Sequence, residues 1–189
     1  ARKKLVKAYD KSSKWYQKNQ GNKEAVETAN KAIRAAYFEI PKYYHTRGDK
    51  EWNAGNPNEA NKEFKLAIAA YRDYLRIFPE PSWDEFVIHS YLAAISMTVK
   101  DYPAAVKEYE WMESADTTKY GRKPQGMEVT ITPPEAAYNA VVAMDHYREA
   151  GFKSVNEDHK KAYTLPQTKA YLAQVEKYLN KYGKDPKNK

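Results

Sequence analysis

Small residues recur along this chain at spacings that let pairs of helices lie almost in contact, and this narrows the folds open to it. The clearest stretch is Gly48-Asp49, then Gly55-Asn56-Pro57-Asn58-Glu59-Ala60, then Phe64 and Ala67. Gly48 sits where a first helix can approach a partner closely. Gly55 suits a tight turn because it has no Cβ to clash at positive φ. Pro57 fits the first turn of a second helix, where its missing N–H has no bond to lose. Ala60, Phe64 and Ala67 fall on one helical face at i, i+4 and i+7. The pattern returns. Gly21-Asn22-Lys23-Glu24-Ala25 leads to Ala29 and Ala32, and Asp101-Tyr102-Pro103-Ala104-Ala105 leads to Tyr109 and Met112, with Leu92-Ala93 ahead of that turn. Tyr138-Asn139-Ala140 opens a further first helix, and Ala170 to Tyr182 reads as a further second helix.

This order of small, turn, small, aromatic, small resembles the tetratricopeptide (TPR) repeat, a helix–turn–helix unit of about 34 residues. Ala25 to Ala60 spans 35 residues and Ala60 to Ala105 spans 45, the difference being a helix from Pro57 that runs on to Phe78-Pro79. The resemblance covers most of residues 22–150. It implies an all-α, right-handed superhelical solenoid of stacked antiparallel helix pairs over 1–183, with a tail at 184–189. A chain of this length accommodates about four to five pairs. Departures are visible: Arg47 stands where a bulky apolar residue precedes Gly48, and Ser96 where an aromatic is usual. Residues 117–134 and 151–166 read as long connections. Within the first, Met127-Glu128-Val129-Thr130-Ile131 alternates like a short strand.

No apolar stretch approaches the roughly 18 to 20 residues of a membrane span. Ala1-Arg2-Lys3-Lys4 carries no visible secretory signal, so the sequence is read either as cytoplasmic or as mature or excised material. The absence of cysteine removes disulfides and thiolate metal sites and leaves the compartment open. Net charge is +7, and residues 1–50 hold thirteen Lys/Arg against five Asp/Glu. The excess centres on a basic patch of Arg2, Lys3, Lys4, Lys7, Lys11, Lys14 and Lys18. Either it keeps a solvated helix face soluble or it meets an acidic protein, an anionic polymer or a membrane face. Nucleic acid is disfavoured, because Arg is scarce there and no groove-reading or aromatic RNA-binding signature accompanies it.

Motifs that carry chemistry are missing. His45, His89, His146 and His159 lack the i, i+4 pairing of a helical metal site. Asp145, His146 and Glu149 share a face, as residues on solvated helices often do, and no metal site is assigned. Residues 121–126 form a Gly/Pro turn with basic residues, without the Lys-Ser/Thr of a phosphate loop. No serine is framed as a nucleophile. Asp84-Glu85 falls in a first helical turn after Pro81-Ser82, where negative charge complements the helix dipole. Neither an enzyme nor a cofactor is expected.

The chain holds seventeen tyrosines and four tryptophans, which either fill space beside Ala and Gly or line a groove. Tyr37, Phe38, Tyr43, Tyr44 and Trp52 are placed around one inter-repeat turn, and Tyr71, Tyr74, Phe78 and Trp83 around the next. The TPR resemblance implies a concave face formed by first helices, here Tyr44 to Asn53 and Ile88 to Thr98. Its partner-binding candidates are Lys42, His45, Asp49, Trp52, Ser90 and Met97, with Val87, Ala94, Val142, Asp145 and His146 beside them. The positions matching the chaperone-cofactor carboxylate clamp are His45, Asp49 and Asn53, which departs from its Lys/Asn-rich pattern. Ala70-Tyr71-Arg72-Asp73-Tyr74-Leu75-Arg76-Ile77-Phe78-Pro79 is similar to the phrase that ends units in bacterial cell-envelope TPR proteins. That likeness implies a non-catalytic scaffold for proteins or peptide segments, periplasmic or envelope-associated, with oligomers or a larger assembly as a further implication. The alternative is a peptide-binding adaptor using the groove from His45 to Trp52.

Overall fold

A computed structural model describes residues 8–9, 11–124, 131–156 and 158–184. The described residues are all-helical, with no strand among them. The chain divides into two compact units, residues 1–80 and 81–189.

The first unit contains α1 (Lys14–Asn19), α2 (Lys23–Asn53) and α3 (Pro57–Ile77). Ser13 caps α1 by accepting from the Tyr16 amide at 3.0 Å, and Asn22 caps α2 by accepting from Ala25 at 3.1 Å. Both caps satisfy amides that the first helical turn leaves without partners. Between α2 and α3 the chain reverses at Gly55, whose φ of +78° lies in the region that favours glycine. Pro57 then opens α3 as the sequence predicts.

α2 departs from the expected repeat pattern. A break was expected among the aromatics between Tyr37 and Tyr44, yet the helix is continuous for 31 residues with Pro41 inside it. An interior proline removes one backbone hydrogen bond and costs roughly 3 kcal/mol. The packing on both sides of Pro41 offsets this, because residues before and after it lie along the same helix, α3. Gly48 meets the Phe64 ring. His45 meets Tyr71 at 3.2 Å. Phe38 stands edge-on to Tyr74 at 5.7 Å, and Tyr37 to Phe78 at 5.6 Å. A helix broken at Pro41 would lose half of these contacts. Ala60, Phe64, Ala67, Tyr71 and Tyr74 supply the buried stripe of α3, and Pro41 is itself fully buried.

The second unit contains α4 (Trp83–Thr98), α5 (Tyr102–Ser114), a 3-10 turn (Thr117–Tyr120), α6 (Pro133–Ser154), α7 (His159–Ala162) and α8 (Pro166–Tyr182). Ser82 caps α4 with Asp84 and Glu85 in its first turn, as expected. Asp101 caps α5, and Lys100 takes the left-handed φ of 64° in the preceding turn, the place that Gly55 holds in the first unit. Thr132 and Glu135 form a reciprocal capping box at α6, with Pro133 following. α4 packs on α5, α5 on α6 and α6 on α8. Phe86, Ala93, Met112 and Ala136 form one buried cluster, and Ala105, Val106, Ala140, Ala143 and Met144 another.

The segment 151–166 is more structured than expected: α6 continues to Ser154, and α7 occupies part of the remainder. Of the expected strand, 127–130 lie outside the described residues. Ile131 is half-buried against the Phe86 cluster.

Glu113 on α5 is 5% exposed and draws α8 across to it. Lys181 Nζ donates to its Oε1 at 2.7 Å, and Tyr182 Oη donates to the same oxygen at 3.0 Å. Burial pushes the Glu113 carboxyl up, but the hydrogen bonds from Lys181 and Tyr182 and the charges of Lys181 and Lys177 outweigh it and hold it below the usual range.

The Gly48–Phe64 contact gives a direct test of the helix pairing. A methyl at residue 48 would overlap the buried Phe64 ring. Gly48→Ala is therefore expected to destabilise the first unit by about 1–3 kcal/mol despite alanine's better helix propensity. Chemical denaturation followed by circular dichroism measures it, and an unchanged or raised midpoint would reject the close packing.

Candidate partner-binding surfaces

Lys42, His45, Asp49 and Trp52 all lie on α2, but the fold uses them differently. His45 points inward. Its side chain is 14% exposed, its Nδ1 lies 3.2 Å from the buried Tyr71 hydroxyl, and its ring stands edge-on to Phe64 at 6.1 Å. Its Nε2 lies 3.7 Å from Asp49 Oδ2, so the two candidates are brought together at the edge of the helix pair. Lys42 turns instead to Glu39 at 2.8 Å and lies 5.6 Å from the Phe38 ring. Trp52 is half-buried and Asp49 is exposed. The sequence placed His45 and Asp49 among the candidates of one helix without pairing them. It gave no sign of Tyr71, 26 positions away, because only the pairing of α2 with α3 brings that hydroxyl to the ring.

Ser90 and Met97 lie in the second unit. Ser90 Oγ donates to the Val87 carbonyl of its own helix at 2.7 Å. Met97 packs on the Ala105–Met144 cluster, so part of its surface belongs to the core. Val87 is buried and Ala94 exposed. Val142 is half-buried. The Asp145, His146 and Glu149 trio is divided: Asp145 accepts from Arg148 at 2.6 Å, while His146 lies 3.7 Å from Glu149 and stacks beside Tyr102 at 5.7 Å. Among the described residues, no group of three or more His, Asp or Glu side chains is arranged to hold a metal.

A polar cluster whose pairing the sequence did not reveal sits between α4 and α5. His89 Nδ1 lies 2.6 Å from Glu108 Oε2, and both side chains are largely buried. The imidazole lies flat on Trp111 with centroids 3.6 Å apart and planes 12° apart. His89 and Glu108 are 19 positions apart, so the turn at residues 99–101 must fold before the pair exists.

In the basic patch, Lys11, Lys14 and Lys18 are exposed, whereas Arg2, Lys3, Lys4 and Lys7 lie outside the described residues. The unit boundary sharpens the charge distribution. Residues 1–80 hold seventeen Lys/Arg against ten Asp/Glu, and residues 81–189 hold fifteen of each. The whole excess of +7 thus belongs to the first unit. Among the described residues, no helix is long and apolar enough to cross a membrane. No family model, curated protein or solved structure matches the chain.

His45 predicts a pH dependence with a definite sign. Burial pushes the imidazole below its ordinary value, and the Asp49 charge recovers part of that shift. The unfolded chain therefore binds the proton more readily, so stability is complete above about pH 6.5 and falls as pH drops toward the lower folded value. Denaturation between pH 7.5 and 5 is expected to show this loss. In His45→Gln the slope should be shallower by up to about 1.4 kcal/mol per pH unit, the contribution of one proton. Parallel slopes would show that His45 is not in the environment described.

Proposed function

We propose that this chain is a non-catalytic protein-interaction scaffold with a TPR-like, right-handed solenoid arrangement of helix pairs. The observation that carries the reading is the serial packing of the second unit: α4 on α5, α5 on α6, α6 on α8. Helices packed in series in this way present long faces, which serve recognition of other proteins. The recurrence of a small residue facing a large one 16 positions later supports the same reading. Gly48 faces Phe64, and a Cβ at Gly151 would lie 3.1 Å from the Gln167 side chain. Ala93 and Tyr109 share a cluster at the same separation.

The proposed setting is a bacterial cell-envelope or periplasmic assembly, supported by the likeness of Ala70 to Pro79 to envelope TPR phrases. The adaptor reading centred on His45 to Trp52 is less well supported, because His45 is committed to Tyr71 and Phe64 and Lys42 to Glu39.

Lysine crosslinking in cells that produce the protein, followed by mass spectrometry, tests the proposal. Several envelope proteins are expected at the exposed lysines of the first unit, and Trp52→Ala should leave that set unchanged. Loss of a single partner in Trp52→Ala would support the adaptor reading instead, and absence of any protein partner would reject both.

A further inference from the structure

A groove of about 520 Å³ lies in the first unit, between the N-terminal half of α2 and the end of α3. Its volume is within the range of ligand clefts, roughly 300–1,000 Å³. Tyr37 from α2 and Ile77 and Phe78 from the end of α3 line its apolar part, and Ile77 remains 37% exposed. Lys11, Lys31 and Arg34 supply positive charge around it.

Arg34 is held rather than free to swing. Its Nε donates to the buried Tyr74 hydroxyl at 2.8 Å, and its guanidinium carbon lies 5.3 Å from the Phe78 ring centre. A guanidinium oriented by an aromatic face loses little further freedom when it meets a carboxylate. Lys31 is mostly exposed and paired with Glu27 at 2.7 Å, one helical turn away. Such a surface pair contributes little, so Lys31 can exchange it for a partner's carboxylate at small cost. Glu27 and Glu80 also border the groove, and the local balance is therefore modest. The larger bias comes from the unit itself, which holds the entire net charge of the chain.

We infer that this groove receives an acidic segment of a partner protein, one that places a leucine or phenylalanine between carboxylates. The apolar side chain enters beside Ile77 and Phe78 while the carboxylates meet Lys11, Lys31 and Arg34. A recess suits a peptide segment better than a lipid surface or a nucleic-acid duplex, which would meet a raised or flat basic face. The inference rests on the scaffold reading above and names the chemistry of one partner.

Fluorescence anisotropy of the full chain with a labelled peptide carrying Leu-Phe between Asp/Glu runs tests it. Binding is expected on the order of micromolar, and about tenfold weaker to the Lys31→Glu chain, to Ile77→Ser, and to peptides with Asn/Gln or Ser-Ser in place of the acidic or apolar residues. Circular dichroism confirms that each variant is folded, and the exposed Lys31→Glu keeps the test decisive if Ile77→Ser is not. Binding that ignores Lys31→Glu, follows charge alone so that the Ser-Ser peptide or anionic phosphatidylglycerol vesicles bind equally, or fails up to about 1 mM would overturn the groove. A chain that fails this titration yet still crosslinks to partner proteins loses only the groove, whereas failure of both removes the scaffold reading as well.

Discussion

The first unit depends on the close approach of α2 to α3 where Gly48 meets Phe64. Without a side chain at residue 48, the aromatic ring fills the space between the helices and sets their separation. From that contact the rest of the pairing runs in register. His45 reaches Tyr71, Phe38 reaches Tyr74, and Tyr37 reaches Phe78. The continuity of α2 through Pro41 follows from the same register, because one partner helix receives side chains from both sides of the proline. The groove beside Arg34 follows too, since its walls are the far end of this pairing.

The second unit uses the same device with different residues. Ala93 lies with Tyr109, and Gly151 admits Gln167, each pair 16 positions apart and spanning the turn region between two packed helices. Tyr109 is half-buried against the cluster that contains Ala93. Glu113 adds a directional element, because a carboxylate so little exposed needs the donors that α8 brings. Hydrophobic contact sets how close the helices lie, and the Glu113 cluster selects which part of α8 faces α5.

Local chemistry was legible in the sequence. The turn at Gly55, the turn at Asp101-Tyr102-Pro103, the acidic first turn after Ser82 and the long α3 all follow from residue types acting within a few positions. The continuous α2 was not legible, because the local rule for proline favours a break and only packing against α3 overrides it. The same limit hid the roles of the candidate site residues. His45 looked like a groove residue because Tyr71 is distant in sequence, and the Glu113 cluster joins residues 68 and 69 positions apart. Lys100 at positive φ was hidden for a different reason, since nothing in a lysine announces a left-handed turn. The charge asymmetry was visible from the start. Its meaning changed once the boundary at residue 80 assigned all of it to one unit.

Continuity of α2 is therefore the central structural claim about the first unit, and the groove depends on it. Hydrogen exchange of the intact chain, resolved by peptide across residues 36–48, measures it most directly. The account predicts slow exchange on both sides of Pro41, with amides of 36–40 and 42–48 released together with those of α3. Fast exchange confined to residues 38–44, with separate release of the two halves of α2, would show a turn at Pro41 and contradict the account.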